Sequence, residues 1–218
     1  MNYELYNLFF RCIVLIMILK DFIVFEGIDG AGTSTQIKRL VESNPEKYFA
    51  TAEPTDRPTG LFLRKMLAGD FSVDEKTNAY LFAADRCEHI YGKNGVIEQI
   101  QKGKIVISDR YFFSSLAYQS VSCGKELPKL INSPFPLPEY LFFFEIDPKI
   151  SLARVNQRNE KKEIYEKIEL QEKIAKLYDQ VISEYEANPQ GMKIFRLDAS
   201  KSIEEVENDI VKQLTIDN

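Results

Sequence analysis

Short continuous runs of hydrophobic residues alternate along the chain with segments in which apolar residues recur every three or four positions. Continuous runs are typical of parallel strands that are buried on both faces. Five segments fit this pattern: residues 22–26, 47–55, 104–110, 140–147 and 192–198. The periodicity between them predicts helices over residues 33–42, 59–67, 74–90, 94–102, 114–121, 149–185 and 202–214, the sixth of them broken near Asn159.

Strands that alternate with helices predict an α/β fold, with a five-stranded parallel sheet flanked by helices on both faces. In such sheets, ligands bind at the carboxyl ends of the strands. Polar residues stand at those ends here, among them Glu26, Glu53, Asp109 and Asp147. Residues 122–138 contain one glycine and four prolines and are expected to be mostly loop.

The composition is that of a globular protein, and 218 residues suit a single domain. The net charge of −5 argues against general binding to a nucleic-acid backbone. Cys12, Cys87 and Cys123 are scattered, which fits a reducing compartment such as the cytoplasm. Because His89 is the only histidine, no metal cluster can be assembled from imidazoles.

Residues 1–16 are interpreted as an N-terminal extension to a single domain over residues 17–218. The apolar run at residues 8–19 is interrupted by Arg11 and is shorter than the roughly 20 residues of a spanning helix. An acidic residue near the start and the lack of a small-residue cleavage site also argue against a secretory signal. We hypothesise that translation begins at Met17.

The segment FEGIDGAGTSTQ, residues 25–36, nearly matches the phosphate-loop pattern G-x-x-x-x-G-K-[ST]. Gly27, Gly32 and Ser34 have the required spacing, but Thr33 occupies the lysine position. Backbone N–H groups and the N-terminus of the following helix would bind phosphate without that lysine. Because a buried strand precedes the segment and an amphipathic helix follows it, we favour a phosphate loop over a simple glycine-rich turn.

Further charged residues are expected at the same edge of the sheet. Arg86 lies near the end of a predicted helix, and Asp109 and Arg110 end a predicted strand. One arginine at a strand end is usually a surface ion pair, but several that converge on a phosphate loop indicate a second anionic ligand. Phe82 by itself is more typical of a core residue than of a stacking platform.

Arg154 and Arg158 are spaced i, i+4 and therefore share one face of a predicted helix. Such a pair commonly belongs to a solvated helix face. Beside a phosphate loop without lysine, we favour a mobile lid whose arginine closes over the transferring phosphoryl group.

The chain resembles the thymidylate kinase family in six segments, which occur in order from Phe22 onward: FEGIDGAGTSTQ, AEPTDRPTGLFLRKML, LFAADRCEHI, KIVISDRYFFSSLAYQ, FFFEIDP and LDASKSIEEV. The resemblance implies a P-loop kinase fold with a helical lid at about residues 149–165, usually assembled as a homodimer. It implies transfer of the γ-phosphoryl group of ATP to dTMP, giving dTDP for dTTP biosynthesis. Mg²⁺ would be the cofactor, and neither nucleic acid nor membrane would be a partner.

The resemblance also assigns residues to the site. The residues that it assigns to the ATP site are Gly27, Ile28, Asp29, Gly30, Ala31, Gly32, Thr33, Ser34, Thr35 and Arg154. The residues that it assigns to the dTMP site are Asp29, Glu53, Pro54, Arg64, Phe82, Arg86, Arg110, Ser114, Tyr118 and Gln119. Ser34 and Asp109 would hold Mg²⁺, and residues 198–201 would lie near adenine. The catalytic residues would be Asp29, Arg110 and Arg158.

The implied contacts with dTMP involve its sugar, phosphate and base. Asp29 would bind the sugar 3′-hydroxyl, and Arg64 and Arg110 would bind the phosphate. Thymine would stack on Phe82 and form a hydrogen bond with Arg86, while a neighbouring tyrosine would crowd a ribose 2′-hydroxyl.

Two departures from the family pattern concern the charge at the transferring phosphate. Thr33 replaces the loop lysine, and Ile164 stands where the lid commonly has an arginine. Members with glycine after the loop acid, as at Gly30, tend to carry their catalytic arginine in the lid. This tendency indicates Arg158 as the catalytic arginine, with Arg154 as one substitute.

Two alternatives remain open from the sequence. A deoxynucleoside kinase would need a carboxylate base, for which Glu53 or Asp109 could serve, but Arg64 and Arg110 favour a phosphorylated acceptor. A catalytically inactive nucleotide-binding homologue would account for Thr33, although it would have little reason to retain a dTMP site.

The hypothesis of a start at Met17 predicts the mass of the native protein. Intact-mass analysis should give the mass of a chain that begins at Met17, and a mass matching a start at Met1 would contradict the hypothesis.

Overall fold

The computed structural model describes residues 17–157 and 168–216. Its five strands form one sheet, in which every neighbouring pair is parallel. In chain order they are β1 (Ile18–Gly27), β2 (Tyr48–Ala52), β3 (Ile105–Asp109), β4 (Leu137–Glu145) and β5 (Lys193–Asp198). The spatial order β2-β3-β1-β4-β5 makes β1 the central strand. The predicted five-stranded parallel sheet is confirmed.

Helices cover both faces of this sheet, as predicted. Within the described part of the chain they are α1 (Thr33–Ser43), α2 (Pro58–Leu67), α3 (Glu75–Tyr91), α4 (Val96–Gln101), α5 (Phe112–Tyr118), α6 (Ser120–Cys123), α7 (Glu126–Asn132), α8 (Pro148–Gln157), α9 (Ile168–Ala187) and α10 (Ile203–Ile216). Residues from α5 and α9 pack in one core cluster, and residues from α1 and α10 pack in another.

The side chains of β1 alternate between these two clusters. Phe22 and Val24 belong to the cluster with α5 and α9, whereas Ile23 and Phe25 belong to the cluster with α1 and α10. All four are at most 2% exposed. Burial of one such side chain contributes about 1.5–3 kcal/mol relative to exposure, so β1 stabilises both layers of the fold.

The expectation that residues 122–138 are mostly loop is wrong. Helix α7 begins at Glu126, and Pro128 lies in its first turn, where a missing N–H removes no intrahelical hydrogen bond. Strand β4 begins at Leu137, whose N–H donates to the carbonyl oxygen of Met17 (3.0 Å). Strand β1 likewise begins earlier than predicted, because its first residues pair with the start of β4.

The long helical stretch predicted over residues 149–185 corresponds to α8 and α9. The predicted break near Asn159 and the second half of the proposed lid, from residue 158 onward, lie outside the described residues.

The order of the strands places one crevice at the carboxyl end of β1. Strands β2 and β3 lie on one side of β1, and β4 and β5 lie on the other. In open α/β sheets, such a reversal of strand order is where ligands bind. Asp109 at the end of β3 pairs with Phe25 of β1, close to the glycine loop that follows β1.

Candidate functional site

The residues predicted to bind dTMP line one cavity of about 310 Å³ at the carboxyl ends of β1, β2 and β3. All ten of them line it: Asp29, Glu53, Pro54, Arg64, Phe82, Arg86, Arg110, Ser114, Tyr118 and Gln119. Ser34 and Asp109, predicted to hold Mg²⁺, line the same cavity. The fold therefore brings together residues from four separate stretches of sequence. Their contact with dTMP stays a prediction.

The glycine loop between β1 and α1 is shaped by left-handed backbone. Gly30 has φ +84° and Gly32 has φ +98°, a region that side chains rarely adopt. A Cβ atom on Gly30 would lie 2.5 Å from the carbonyl oxygen of Ser151. The Ser151 hydroxyl donates to the carbonyl oxygen of Asp29 (2.7 Å). Helix α8 therefore packs directly against the loop and leaves no room for a side chain at Gly30.

A second cavity, of about 320 Å³, lies on the other side of the loop. Five of the residues predicted to bind ATP line it: Gly30, Ala31, Gly32, Thr35 and Arg154. Two others, Asp29 and Ser34, line the first cavity, and the remaining three, Gly27, Ile28 and Thr33, line neither. The loop therefore separates two spaces.

The far wall of this second cavity comes from the segment after β5. Nη1 of Arg154 donates to the carbonyl oxygen of Ala199 (3.0 Å), and Lys201 also lines the cavity. The resemblance predicted residues 198–201 near adenine, and two of them line this wall.

Arg110 lies between the loop and the first cavity. Its Nη2 donates to Oδ1 of Asp29 (2.5 Å), and its Nη1 donates to the carbonyl oxygen of Gly27 (2.9 Å). Its backbone is left-handed, with φ +71°. The side chain is 21% exposed, so the guanidinium group is held by the loop and still faces the cavity.

The Asp29 carboxylate has further donors on its other oxygen. The Tyr118 hydroxyl (3.4 Å) and Nε2 of Gln171 (3.2 Å) both donate to Oδ2. Gln171 lies on α9, so the loop acid is also bound to the helix that packs over the first core cluster.

Arg86 is the most deeply buried charged group of the cavity wall, with 1% exposure. Nε and Nη2 both donate to Oε2 of Glu53, at 3.0 and 2.6 Å. Nη2 also donates to the Ser115 hydroxyl (3.1 Å), and Nη1 donates to Oδ1 of Asn132. These bonds satisfy four of the five guanidinium N–H groups. Among the described residues, the second N–H of Nη1 has no hydrogen-bond acceptor.

His89 supports this wall from behind. Its Nδ1 lies 2.9 Å from Oε1 of Glu53, and its Nε2 lies 2.8 Å from the Thr51 hydroxyl. The ring is buried and does not line the cavity. His89 therefore holds Glu53 in place and does not itself reach the cavity.

Phe82 and Arg64 flank the cavity on the side of α2 and α3. Phe82 is half-buried and packs against a small cluster that contains Leu63, Met66 and Leu67, while it also lines the cavity. Arg64 is 46% exposed and donates to the carbonyl oxygen of Pro54. One aromatic face and one accessible cation are therefore present where a base and a phosphate were predicted.

Glu26 is a fully buried carboxyl group directly behind Arg110. Oε1 accepts the backbone N–H groups of Tyr111 (2.8 Å) and Ser114 (3.2 Å). Oε2 accepts the hydroxyl groups of Ser114 (2.7 Å) and Tyr178 (2.9 Å). Glu26 thereby caps the start of α5 from the neighbouring strand.

The family model for thymidylate kinase matches residues 25–210. The chain belongs to the thymidylate kinase family. A Treponema pallidum relative is 38% identical over 200 residues, 90% of this chain and 96% of the relative. The thymidylate kinase of Leptospira borgpetersenii is 35% identical over 181 residues, 79% and 86% of the two chains. The probable thymidylate kinase of Methanocaldococcus jannaschii is 38% identical over 200 residues, 91% and 97%.

The oxygen atoms available in this thymidylate kinase family member suit Mg²⁺. The Ser34 hydroxyl donates to Oδ2 of Asp109 (2.5 Å), so the two predicted ligands are in contact. No group of three or more His, Cys, Asp or Glu side chains in the described chain could hold a metal by itself. Mg²⁺ commonly takes only one or two protein oxygens and completes its shell with water and substrate phosphates, so this pair fits that ion.

No helix in the described ranges, 17–157 and 168–216, is long and apolar enough to span a membrane.

The pKa of Glu26 is raised to about 7 because burial penalises its charged form. The positive charge of Arg110 and the hydroxyl groups of Ser114 and Tyr178 act in the opposite direction but do not cancel the effect of burial. The carboxyl group therefore titrates near neutral pH, although its ordinary value is 4.5.

No sequence pattern predicted that the polar residues Gln171 and Tyr178 lie near the site. Both lie on α9, far along the chain from the loop, and neither belongs to a phosphate-loop motif. Glu26 had a weak signal, since it is a carboxylate at the end of a continuous apolar strand. Its partners on α5 and α9 could be found only from the folded chain.

The raised pKa of Glu26 predicts how stability changes with pH. The neutral form stabilises the fold fully below about pH 4.5, and this contribution is lost as the pH rises through about 7. Relative to Glu26→Gln, the wild-type free energy of unfolding should fall by about 3 kcal/mol between pH 4.5 and 8. Urea unfolding of both proteins at several pH values measures this difference.

The matched control for this titration is Glu42→Gln, because the Glu42 side chain is 64% exposed and pairs with Lys38 at 3.8 Å on the surface. Its difference from wild type should stay within about 0.5 kcal/mol at every pH. A pH-independent difference for Glu26→Gln would contradict the assignment.

Proposed function

We propose that this chain transfers the γ-phosphoryl group of ATP to dTMP, giving dTDP for dTTP biosynthesis. It is an ATP-dependent nucleoside monophosphate kinase, a phosphotransferase. The observation that carries the proposal is the pair of cavities on opposite sides of one glycine loop. One is lined by all ten residues expected at dTMP, and the other by five of the residues expected at ATP.

Phosphoryl transfer requires alignment and electrostatic stabilisation more than proton abstraction. An oxygen of the dTMP phosphate forms a bond to the γ-phosphorus while the bond to the bridging β–γ oxygen breaks, and ADP leaves. Because the dTMP phosphate is already ionised near neutral pH, no strong general base is needed. Arg110 and Arg64 would bind this phosphate. The Asp29 carboxylate would accept a hydrogen bond from the sugar 3′-hydroxyl.

Recognition of the base would depend on Phe82 and Arg86. Phe82 offers a ring face that borders the cavity. The Glu53 and Asn132 bonds hold the Arg86 guanidinium in one orientation, so that its remaining Nη1 N–H can donate to a carbonyl of thymine. Tyr118, which is 7% exposed, would crowd a ribose 2′-hydroxyl.

Mg²⁺ would be held by the hydroxyl of Ser34 and the carboxylate of Asp109. When bound, the ion neutralises charge on the nucleotide phosphates. The metal and its ligands are part of the proposal and rest on the oxygen donor pair together with family membership.

The loop lysine is replaced by Thr33, so another cation is expected to stabilise the charge on the transferring phosphoryl group. Arg154 borders the second cavity. Arg158, which we propose as the catalytic arginine of a lid at about residues 149–165, lies outside the described residues. Loop backbone N–H groups, Arg110 and this lid arginine would together replace the missing charge.

The deoxynucleoside kinase alternative is not favoured. Its acceptor has no phosphate, yet two arginines, Arg64 and Arg110, line the acceptor cavity. The full-length relatives at 35–38% identity carry thymidylate kinase names. An inactive homologue is not favoured either, because all ten residues expected at dTMP line one cavity and five of those expected at ATP line the other.

We also propose that the protein is a cytoplasmic homodimer. The dimer follows from the resemblance to the family, and the compartment follows from the scattered cysteines and the metabolic role. Analytical ultracentrifugation of the native protein and cell fractionation test these two statements.

The test of the function is coupled ADP release with ATP, Mg²⁺ and either dTMP or thymidine, for wild type and Thr33→Lys. Wild type should turn over dTMP and not thymidine, and activity should be lost with EDTA. Loss of one such charged contact typically lowers kcat by about 100–1,000-fold. Because we expect a lid arginine to compensate for most of this loss, Thr33→Lys should change kcat by less than about tenfold. A silent wild type beside an active Thr33→Lys would identify an inactive homologue.

The lid proposal predicts that Arg158→Ala lowers kcat by about 100–1,000-fold, because Thr33 carries no charge that could take over its role in the phosphate loop. The matched control is Arg196→Ala. Arg196 pairs with Glu145 and Glu186 at the far edge strand and lines neither cavity. Turnover of Arg158→Ala close to that of the control would refute the catalytic role of Arg158.

A further inference from the structure

Tyr178 is a fully buried residue of α9 whose hydroxyl touches the polar group behind the first cavity. The hydroxyl lies 2.6 Å from Oγ of Ser114, 2.9 Å from Oε2 of Glu26 and 3.1 Å from Nη1 of Arg110. Tyr178 itself does not line the cavity. Its contacts therefore act on the site only through other side chains.

The hydrogen bonds of Arg110 show how the Tyr178 hydroxyl can fix the orientation of its guanidinium group. The two N–H groups of Nη1 are shared among three acceptors: the carbonyl oxygen of Gly27, the Ser114 hydroxyl and the Tyr178 hydroxyl. Nη2 donates to Asp29 at the cavity. One end of the guanidinium plane is thus held inside the protein, and this fixes the direction of the end that faces the cavity.

The direction of the hydrogen bonds follows from the partners, because the Arg110 guanidinium can only donate and Oε2 of Glu26 accepts the Tyr178 proton. Burial raises the pKa of Tyr178 well above its ordinary value, and the nearby Glu26 raises it further. The hydroxyl therefore keeps its proton and can donate to Glu26 while its oxygen accepts from Arg110. A phenylalanine in its place would provide neither contact.

We propose that Tyr178 is a positioning residue for the phosphate of dTMP, because its hydroxyl holds Arg110 in the orientation that receives that phosphate. The inference rests on the proposed function, in which Arg110 binds the acceptor phosphate. It adds a residue of α9, 68 positions away from Arg110 in sequence, to the groups that determine acceptor affinity.

A purely structural role for Tyr178 makes a different prediction. Its ring packs edge-on against Tyr118, with centroids 5.8 Å apart, and lies 5.6 Å from Phe143. Tyr178→Phe keeps both ring contacts and removes only the hydroxyl. If the ring alone mattered, this variant would bind every ligand as wild type does.

The experiment measures binding of dTMP and of thymidine by isothermal titration calorimetry, for wild type and Tyr178→Phe. Thymidine offers the same base and sugar without the phosphate. Tyr178→Phe should bind dTMP about tenfold more weakly, as for a lost bond to a charged group, and should bind thymidine as wild type does. In steady state, KM for dTMP should rise about tenfold while KM for ATP stays within about twofold.

Tyr185→Phe is the matched control, because Tyr185 lies two turns further along α9. Its ring packs edge-on against Phe113, 5.0 Å away, and it does not line either cavity. This variant should bind both ligands as wild type does. Glu26→Gln disturbs the same polar group by another route and should also weaken dTMP binding while thymidine binding is retained.

The outcomes distinguish a failure of the proposed function from a failure of the positioning role of Tyr178. If wild type does not bind dTMP, the proposed function fails. If wild type binds dTMP and Tyr178→Phe binds it equally well, or loses dTMP and thymidine to the same extent, the positioning role of Tyr178 is overturned. Should Tyr178→Phe not fold, unchanged dTMP affinity in Glu26→Gln would overturn the role as well.

Discussion

Parallel pairing of β1 with β3 brings the phosphate loop against Arg110, and the rest of the site depends on it. Phe25 pairs with Asp109, and the Arg110 N–H donates to the carbonyl oxygen of Phe25 (2.9 Å). The left-handed backbone at Arg110 then turns its side chain under the loop, where Gly27 and Asp29 accept its N–H groups. A strand pairing displaced by two residues would retain the alternation of faces but would separate the arginine from the loop.

The missing lysine has less effect on such a site than on an isolated loop. The chain carries a net charge of −5, yet arginines gather on both sides of the loop, with Arg64, Arg86 and Arg110 at one cavity and Arg154 at the other. A cation in a cleft of low dielectric interacts more strongly with a phosphate than one in bulk water. Loop backbone N–H groups add partial charges that no substitution at Thr33 removes.

Buried polar groups give this site its rigidity. Glu53 holds Arg86 behind the proposed base position, and Glu26 holds Ser114 and Tyr178 behind the proposed phosphate position. A buried carboxyl group is unfavourable unless hydrogen bonds satisfy it, and each of these has at least three contacts. Such fully bonded groups restrict the side chains that they hold to one arrangement, which places the cavity walls before any ligand arrives.

By itself, the sequence determined the five parallel strands and the phosphate loop, because continuous apolar runs and glycine spacing act over a few neighbouring residues. Six motifs in order also predicted ten residues at dTMP, and the fold brings all ten to the wall of one cavity. Only the tertiary structure decided the helix starting at Glu126, the early start of β1, and the contacts of Gln171 and Tyr178 with the loop and with Glu26. Each of these depends on a partner distant in sequence, and the local pattern of residues carries no information about that partner.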